Sequence, residues 1–397
     1  TDTVDLKVRS TSIDEPWIPP VVEPEPAPGH IEFSEDELLQ HIHGSTAILR
    51  IDVDLQQLVL PANAAEVLGK ATLEIQAPNL RLSLPAGVLA ELRNLVPDAS
   101  IEKIILSIKT LSAEEVEDLL NAASEKSKAK LKAGSAVLGL WLTATNTQGE
   151  TYALTAFSRP VTLSLPLNED VNHKLAGIYY VSEDGTLEYY GGEVQDGWMK
   201  AELPHFSNYA VLEFNKTFRD IKSAAWAEEA VIELAAKHII NGTSSDEITP
   251  NRTVTRAEFT AMIVRLLGLS GEHWSEFADV PRNAWYAKAV AAANEAGIVN
   301  GIGGGRFAPE AEINRQEMTA IIVRAYEYLA GSSVVPQGHV PFNDIADLPL
   351  WAQQSIQKAY QMGLIRGRSA QVFAPLDTAT RAESAMIIYN LLNLMKS

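Results

Sequence analysis

The chain has no cysteine, which excludes disulfides and thiolate metal sites. It is short of positive charge: 32 Lys and Arg stand against 51 Asp and Glu, a formal net charge of -19. Nucleic-acid phosphates demand a basic face and anionic membranes attract basic segments, so neither is an expected partner. No apolar run reaches the ~18 residues that a membrane helix needs. No glycine-rich phosphate loop follows a strand, since Gly303-Gly304-Gly305 sits in a loop ahead of Phe307. No His-Glu-x-x-His and no nucleophile elbow occurs either. His30, His41 and His43 have no further ligand at a metal-site spacing and read as surface residues. Asp52 and Asp54 read as the solvated side of an alternating strand rather than a catalytic carboxylate pair. The expectation is a protein without metal or cofactor, and not an enzyme. Signals are missing at the ends too. Thr1-Asp2-Thr3 shows no methionine and no apolar leader, and Leu394-Met395-Lys396-Ser397 shows no lipidation or wall-sorting signal. These ends fit a removed leader or a piece of something longer, with an unknown upstream domain and any surface attachment non-covalent.

What is present, 397 residues at 46% hydrophobic and 21% charged, suits a multidomain globular chain. Residues 1–10 alternate through Val4, Leu6 and Val8, as a strand left over from an upstream region would. Residues 11–29 carry Pro16, Pro19, Pro20, Pro24, Pro26 and Pro28 among acids and read as a stiff linker. Residues 30–215 read as a mainly-β (α+β) domain. Apolar or alternating runs such as Ala47–Val53, Ile104–Ile108, Val161–Leu165 and Tyr209–Phe214 are its strands. Ser34 with Glu37, and Ser112 with Glu115, have the spacing of capping boxes that open helices. The lysine-rich stretch 121–132 reads as an exposed helix end or loop.

Within this region, Phe157–Pro166, Gly177–Tyr180 and His205–Val211 are similar to the ZU5/GAIN-like β domains, over roughly residues 130–215. Some members of that group cleave themselves at a His-Phe-Ser tripeptide. The resemblance implies that Ser207 would attack the Phe206 carbonyl while His205 takes the proton. The competing reading makes the tripeptide an ordinary strand start with Phe206 in the core.

After Thr217 the texture changes to a helical period and the chain repeats itself. Each unit opens Phe-x-Asp, at Phe218/Asp220, Phe277/Asp279 and Phe342/Asp344. A tryptophan follows (Trp226, Trp285, Trp351), then a helix, then a turn with Gly242, Gly301 or Gly367, then a proline. A tetrad closes each unit: Thr255-Arg256-Ala257-Glu258, Asn314-Arg315-Gln316-Glu317 and Thr380-Arg381-Ala382-Glu383. The arginines are 59 and then 66 residues apart. The Thr or Asn and the Glu have the spacing of a helix-starting capping box. The arginine opposes the helix dipole, at a cost of a few tenths of a kcal/mol or more. It therefore serves either an anion or an ion pair with the Phe-x-Asp aspartate, and the residues alone leave both open.

Residues 218–395 resemble three tandem S-layer homology (SLH) modules. The resemblance rests on the Phe-x-Asp openings, the tryptophans, the Asn-Gly turns, Phe307-Ala308-Pro309 and Phe373-Ala374-Pro375, and the Thr-Arg-Ala-Glu signature. It implies module boundaries at 216–272, 273–336 and 337–397. It further implies an all-α pseudo-threefold assembly with a central three-helix bundle. It places the protein outside the cell, on the wall or S-layer of a Gram-positive-type bacterium. The implied partner is an anionic secondary cell-wall polysaccharide ending in pyruvate-ketal N-acetylmannosamine. Arg256, Arg315 or Arg381 would meet the carboxylate and Trp226, Trp285 or Trp351 would stack on the sugar. Gly242, Gly301 and Gly367 would allow close approach, and Asp220, Asp279 and Asp344 would orient hydroxyls or pair with arginine. Core packing at a helix start is the other reading of each tryptophan. The first unit has Ile248 where Phe-x-Pro is expected, and the third has Arg366 for Asn and Asn390 for Arg. Three unequal grooves are expected, and single Arg→Ala changes are expected to leave folding intact. A polysaccharide-binding role is the remaining alternative for the β region.

Overall fold

The computed structural model describes residues 28–97, 100–271 and 273–396. The expected strand at 1–10 and all but the last two residues of the 11–29 linker lie outside them. The first half is two facing β-sheets. In one, Gln57–Pro61, Ile101–Thr110, Leu138–Asn146, Asn208–Asn215 and Ala176–Val181 lie side by side, each pair antiparallel. In the other, Trp198–Leu203, Val161–Pro166, Arg81–Leu84, Thr72–Gln76 and Thr46–Arg50 are neighbours in that order. Val161, Leu163 and Leu165 point inward while Thr162 and Ser164 point out, so the period-two pattern chooses the buried face. Leu106, Leu140 and Val211 of the first sheet and Leu49, Leu73 and Leu163 of the second share one buried cluster.

Among the described residues of this half are the helices α1 (Glu35–Gln40), α2 (Ala64–Leu68), α3 (Val88–Leu95) and α4 (Ala113–Ser127). Ser34 and Ser112 close capping boxes at α1 and α4. The helix α4 runs on to Ser127, with Ala122, Ala123, Glu125 and Lys126 as its helix formers there. Its Val116, Leu119 and Leu120 pack with Tyr179, Leu212 and Phe214 on the outer face of the first sheet. Ile232 and Ala236 of the second half join the same cluster, so the two halves share apolar packing.

The second half holds α5 (Glu228–Ala236), α6 (Arg256–Leu267), α7 (Ala287–Glu295), α8 (Arg315–Ala330), α9 (Leu350–Gln361) and α10 (Arg381–Met395). The tetrad helices α6, α8 and α10 each touch the other two. The outer helices interlock the units: α7 packs on α6, α9 on α8, and α5 on α10.

The expected all-α character of this half needs correcting. The chain entering each tetrad helix is extended, and these segments pair by antiparallel β-bridges at Thr253/Thr380, Thr255/Glu312 and Asn314/Thr378. Three buried residues close a ring: Val254 N–H donates to Ala379 C=O (3.0 Å), Ala379 to Ile313 (2.9 Å) and Ile313 to Val254 (2.9 Å). The reason is that a capping residue has β backbone angles, such as φ -78° and ψ 160° at Thr255. The residues just before the three caps therefore arrive extended at one axis, and their backbone groups are satisfied by strand-like pairing with each other. The first unit also opens on a 3-10 helix, Ile221–Ala227.

Candidate functional site

The tetrads build the site. Each forms its capping box: the N–H of Glu258, Glu317 and Glu383 reaches Thr255, Asn314 and Thr380 respectively, and each Glu accepts the cap N–H in return. The next orphan donors are also spent. Arg256 and Ala257 N–H go to Ala311 and Pro309 carbonyls, Arg315 and Gln316 to Asp377 and Pro375, and Arg381 and Ala382 to Arg252 and Pro250. The helix N-termini are therefore closed to an anion, and the arginine side chains carry the charge instead.

Arg256, Arg315 and Arg381 are buried, at 6–7% exposure. Each reaches across to the turn of another unit. Arg256 donates from Nε to Phe307 O (3.0 Å) and from Nη2 to Asn300 O (3.3 Å). Arg315 does the same to Phe373 O (2.9 Å) and Arg366 O (2.9 Å), and Arg381 to Ile248 O (2.8 Å) and Asn241 O (2.7 Å). The tetrad glutamate of the contacted unit faces the remaining nitrogen. Arg256 Nη1 is 3.1 Å from Glu317 and Arg315 Nη1 3.2 Å from Glu383, while Arg381 Nη1 stands 4.0 Å from Glu258. Burial lowers the pKa of all three guanidiniums, and these glutamates oppose the shift. Desolvation pushes Glu258 up, but hydrogen bonds from Arg252 and the Thr255 N–H outweigh it and leave it below its usual value.

The aspartates do not bind the arginines. Asp220 accepts from Ile248 and Thr249 N–H (3.0 and 2.7 Å), Asp279 from Phe307 and Ala308 (both 2.8 Å), and Asp344 from Phe373 and Ala374 (3.0 and 2.7 Å). The second residue of each pair has left-handed backbone: Thr249 φ 47°, Ala308 φ 59°, Ala374 φ 58°. For a side chain with a Cβ this is costly, and the carboxylate holds it in place. The aspartates thus shape the loops whose carbonyls receive the arginines.

Three grooves result. One, of 300 Å³, is lined by Arg381, Asn241, Gly242, Arg252, Glu258, Arg265 and Trp285. A second, of 420 Å³, is lined by Arg256, Asn300, Gly301, Glu317, Arg324 and Trp351. The third, of 630 Å³, is lined by Arg315, Arg366, Gly367, Arg368, Glu383, Asn390 and Trp226. Each takes its arginine from one unit, its turn and helix from the next, and its tryptophan from the third. The structure thus brings together the arginines, tryptophans and glycines and leaves the aspartates behind them. Trp226, Trp285 and Trp351 are 58%, 63% and 43% exposed, so they do not fill a core. The glycines are sterically required: a Cβ on Gly301 would stand 2.7 Å from Arg306 O and 2.8 Å from a Phe277 ring carbon. Gly242 and Gly367 face the same ring contact from Phe218 and Phe342. Sequence reasoning treated the tetrad glutamates as helix starters only, and passed over Arg252 and Arg368. All are groove residues, legible only once it is known which unit faces which.

The His-Phe-Ser tripeptide lies between strands Trp198–Leu203 and Asn208–Asn215. His205 is held among tyrosines: Tyr209 Oη is 3.1 Å from Nδ1 and Tyr190 Oη 3.3 Å from Nε2. Phe206 packs edge-on to Phe157. None of the three residues has left-handed backbone. Among the described residues, no group of three His, Asp or Glu side chains is arranged for a metal ion.

A family model described as "S-layer homology domain" matches residues 217–260, 276–319 and 341–385. The chain is 42% identical over 249 residues to an amylopullulanase of Thermoanaerobacterium thermosulfurigenes, 60% of this chain and 13% of that protein. It is 44% identical over 183 residues to the exoglucanase XynX of Acetivibrio thermocellus, 46% of this chain and 17% of that protein. It is 33% identical over 149 residues to a surface-layer 125 kDa protein of Lysinibacillus sphaericus, 38% of this chain and 12% of that protein. The chain spans less than a fifth of the length of these relatives. The first match is longer than the whole stretch from 217 to 385, so it takes in residues outside the repeats. The expectation of a non-enzyme, with self-cleavage as its sole exception, is corrected by these names: an amylopullulanase and an exoglucanase are enzymes, and the chain is related to both.

Proposed function

Because residues 217–260, 276–319 and 341–385 are S-layer homology domains that anchor a surface protein to the cell wall of a Gram-positive-type bacterium, we propose that their grooves bind an anionic secondary cell-wall polysaccharide through its terminal pyruvate-ketal N-acetylmannosamine. One observation carries this reading. A chain of net charge -19 places a buried arginine, a turn glycine and an exposed tryptophan together three times, once at each boundary between units. Guanidinium is the natural partner of a carboxylate. The indole face suits the apolar side of a sugar or the ketal methyl. The bounds 216–272, 273–336 and 337–397 are proposed as the three modules and 30–215 as the β domain between them and the rest of the protein. The names of the relatives point to the protein's larger task, a polysaccharide-acting protein held at the wall. No described helix is long and apolar enough to cross a membrane.

A pull-down on wall sacculi tests this. The chain is expected to sediment with intact walls and to stay in solution with walls stripped of secondary polymer. Equal sedimentation with stripped walls would overturn it.

A further inference from the structure

The three arginines are copies of one another, so each is a control for the other two. Arg256 and Arg315 spend all three nitrogens: two on carbonyls and Nη1 on a glutamate, at 3.1 and 3.2 Å. Among the described residues Arg381 spends two. Its Nη1 is 4.0 Å from Glu258, beyond hydrogen-bond reach. Arg252 is the cause. Arg252 Nη2 holds Glu258 Oε1 at 2.5 Å. In the second groove the position matching Arg252 is Ala311, and in the third it is Asp377. Arg368 does reach Glu383 in the third groove, at 3.2 Å, but Arg315 stays on the same oxygen.

From this we infer that the groove of Arg381, Gly242 and Trp285 is the one that receives the ligand's carboxylate, with Arg252 as the positioning residue that draws Glu258 away. The inference rests on the ligand reading above and says which groove performs it. In the other two grooves an incoming carboxylate must displace a glutamate from the arginine and then sit beside that displaced charge, at a cost that rises with burial. In the Arg381 groove Glu258 is already held by Arg252, and Arg381 Nη1 has no carboxylate within hydrogen-bond reach among the described residues. Arg265 also lines this groove, where the third groove has only Asn390. Its 300 Å³ lies at the small end of the roughly 300–1,000 Å³ of ligand sites, fitting one terminal residue rather than a run of chain. Trp285, at 63% the most exposed of the three tryptophans, stands at its edge.

Calorimetric titration of the 397-residue chain with a disaccharide ending in pyruvate-ketal N-acetylmannosamine, and with its ketal-free counterpart, tests the inference. Arg252→Ala is expected to weaken binding of the ketal sugar about tenfold, the order of one charge-assisted hydrogen bond. Arg252→Lys is expected to retain binding. The double variant R252A/E258Q is expected to return to within about threefold of wild type, because glutamine keeps the helix cap and removes the competing charge. A merely structural role for Arg252 would not be rescued by a change at Glu258. Binding indifferent to R252A but weakened by Arg256→Lys or Arg315→Lys would overturn the choice of groove and leave the ligand reading standing. Failure of the wild-type chain to bind either sugar would overturn the ligand reading, and this inference with it.

Discussion

A buried guanidinium is costly unless its donors are met, and Arg315 shows how they are met: two carbonyls and Glu383, all supplied by the following unit. Removing it leaves two carbonyls short of a donor and takes one of its two arginine partners from Glu383, which Arg368 and the Thr380 N–H still hold. The expectation that Arg→Ala changes spare folding is therefore revised. Arg315→Ala should cost about 1–3 kcal/mol, readable as a lowered midpoint in urea. The repeat's odd residue is as informative. Where units two and three end their outer helix on Gly297 and Gly363, unit one has His238, with φ 52°. Its ring stacks on Tyr189, packs against Phe214 and lies 3.2 Å from Tyr179 Oη. Burial, helped by the Lys216 charge, pushes its pKa down to about 4 from 6.5. The unfolded chain takes up this proton near pH 6.5 and the folded chain refuses it until about pH 4. Stability is thus full above pH 6.5 and drains away as pH falls toward 4. A thermal series from pH 7 to pH 4 should show the wild type losing up to about 3 kcal/mol more than His238→Asn. Equal losses would show that the histidine titrates freely.

At the scale of the element, tetrads and turns set the geometry. Thr380→Ala removes the side-chain cap of α10 and should cost about 1 kcal/mol. Gly301→Ala drives a methyl against Arg306 O and the Phe277 ring and should cost roughly 1–3 kcal/mol. Chemical denaturation measures both, and a Gly301→Ala protein as stable as wild type would show that this turn gives way. These elements were the legible ones. Capping box, tight turn and proline are local, and register at 59 and 66 residues exposed them three times over. The fate of the arginine was not legible, because its partners are 44–140 residues away and one glutamate looks like another in sequence. The place of the aspartates was left open for a related reason: an acid beside a repeat of arginines suggests an ion pair as readily as a loop anchor, and these acids accept from two N–H groups of a loop with left-handed backbone. In the β half, alternation located strands such as Val161–Pro166 but gave no means of ordering them. Neighbours such as Arg81–Leu84 and Val161–Pro166 pair across some eighty residues of chain.

The whole molecule adds a constraint that no unit has alone. The backbone ring of Val254, Ile313 and Ala379 and the cyclic order of arginine, turn and tryptophan make the three units one object. Deleting residues 337–397 should therefore abolish all three grooves rather than one. It removes Arg381 from the first, Trp351 from the second and the walls of the third. Retention of two-thirds of the wall affinity by the truncated chain would contradict this. The most direct measurement is a titration of purified secondary wall polymer with the wild-type chain and with a variant in which Trp226, Trp285 and Trp351 are all alanine. All three side chains are well exposed, so the variant should melt close to wild type. Saturable binding by the wild type is expected, lost both in the folded variant and after the ketal pyruvate is removed from the polymer. Undiminished binding by the folded variant, or to the pyruvate-free polymer, would contradict it.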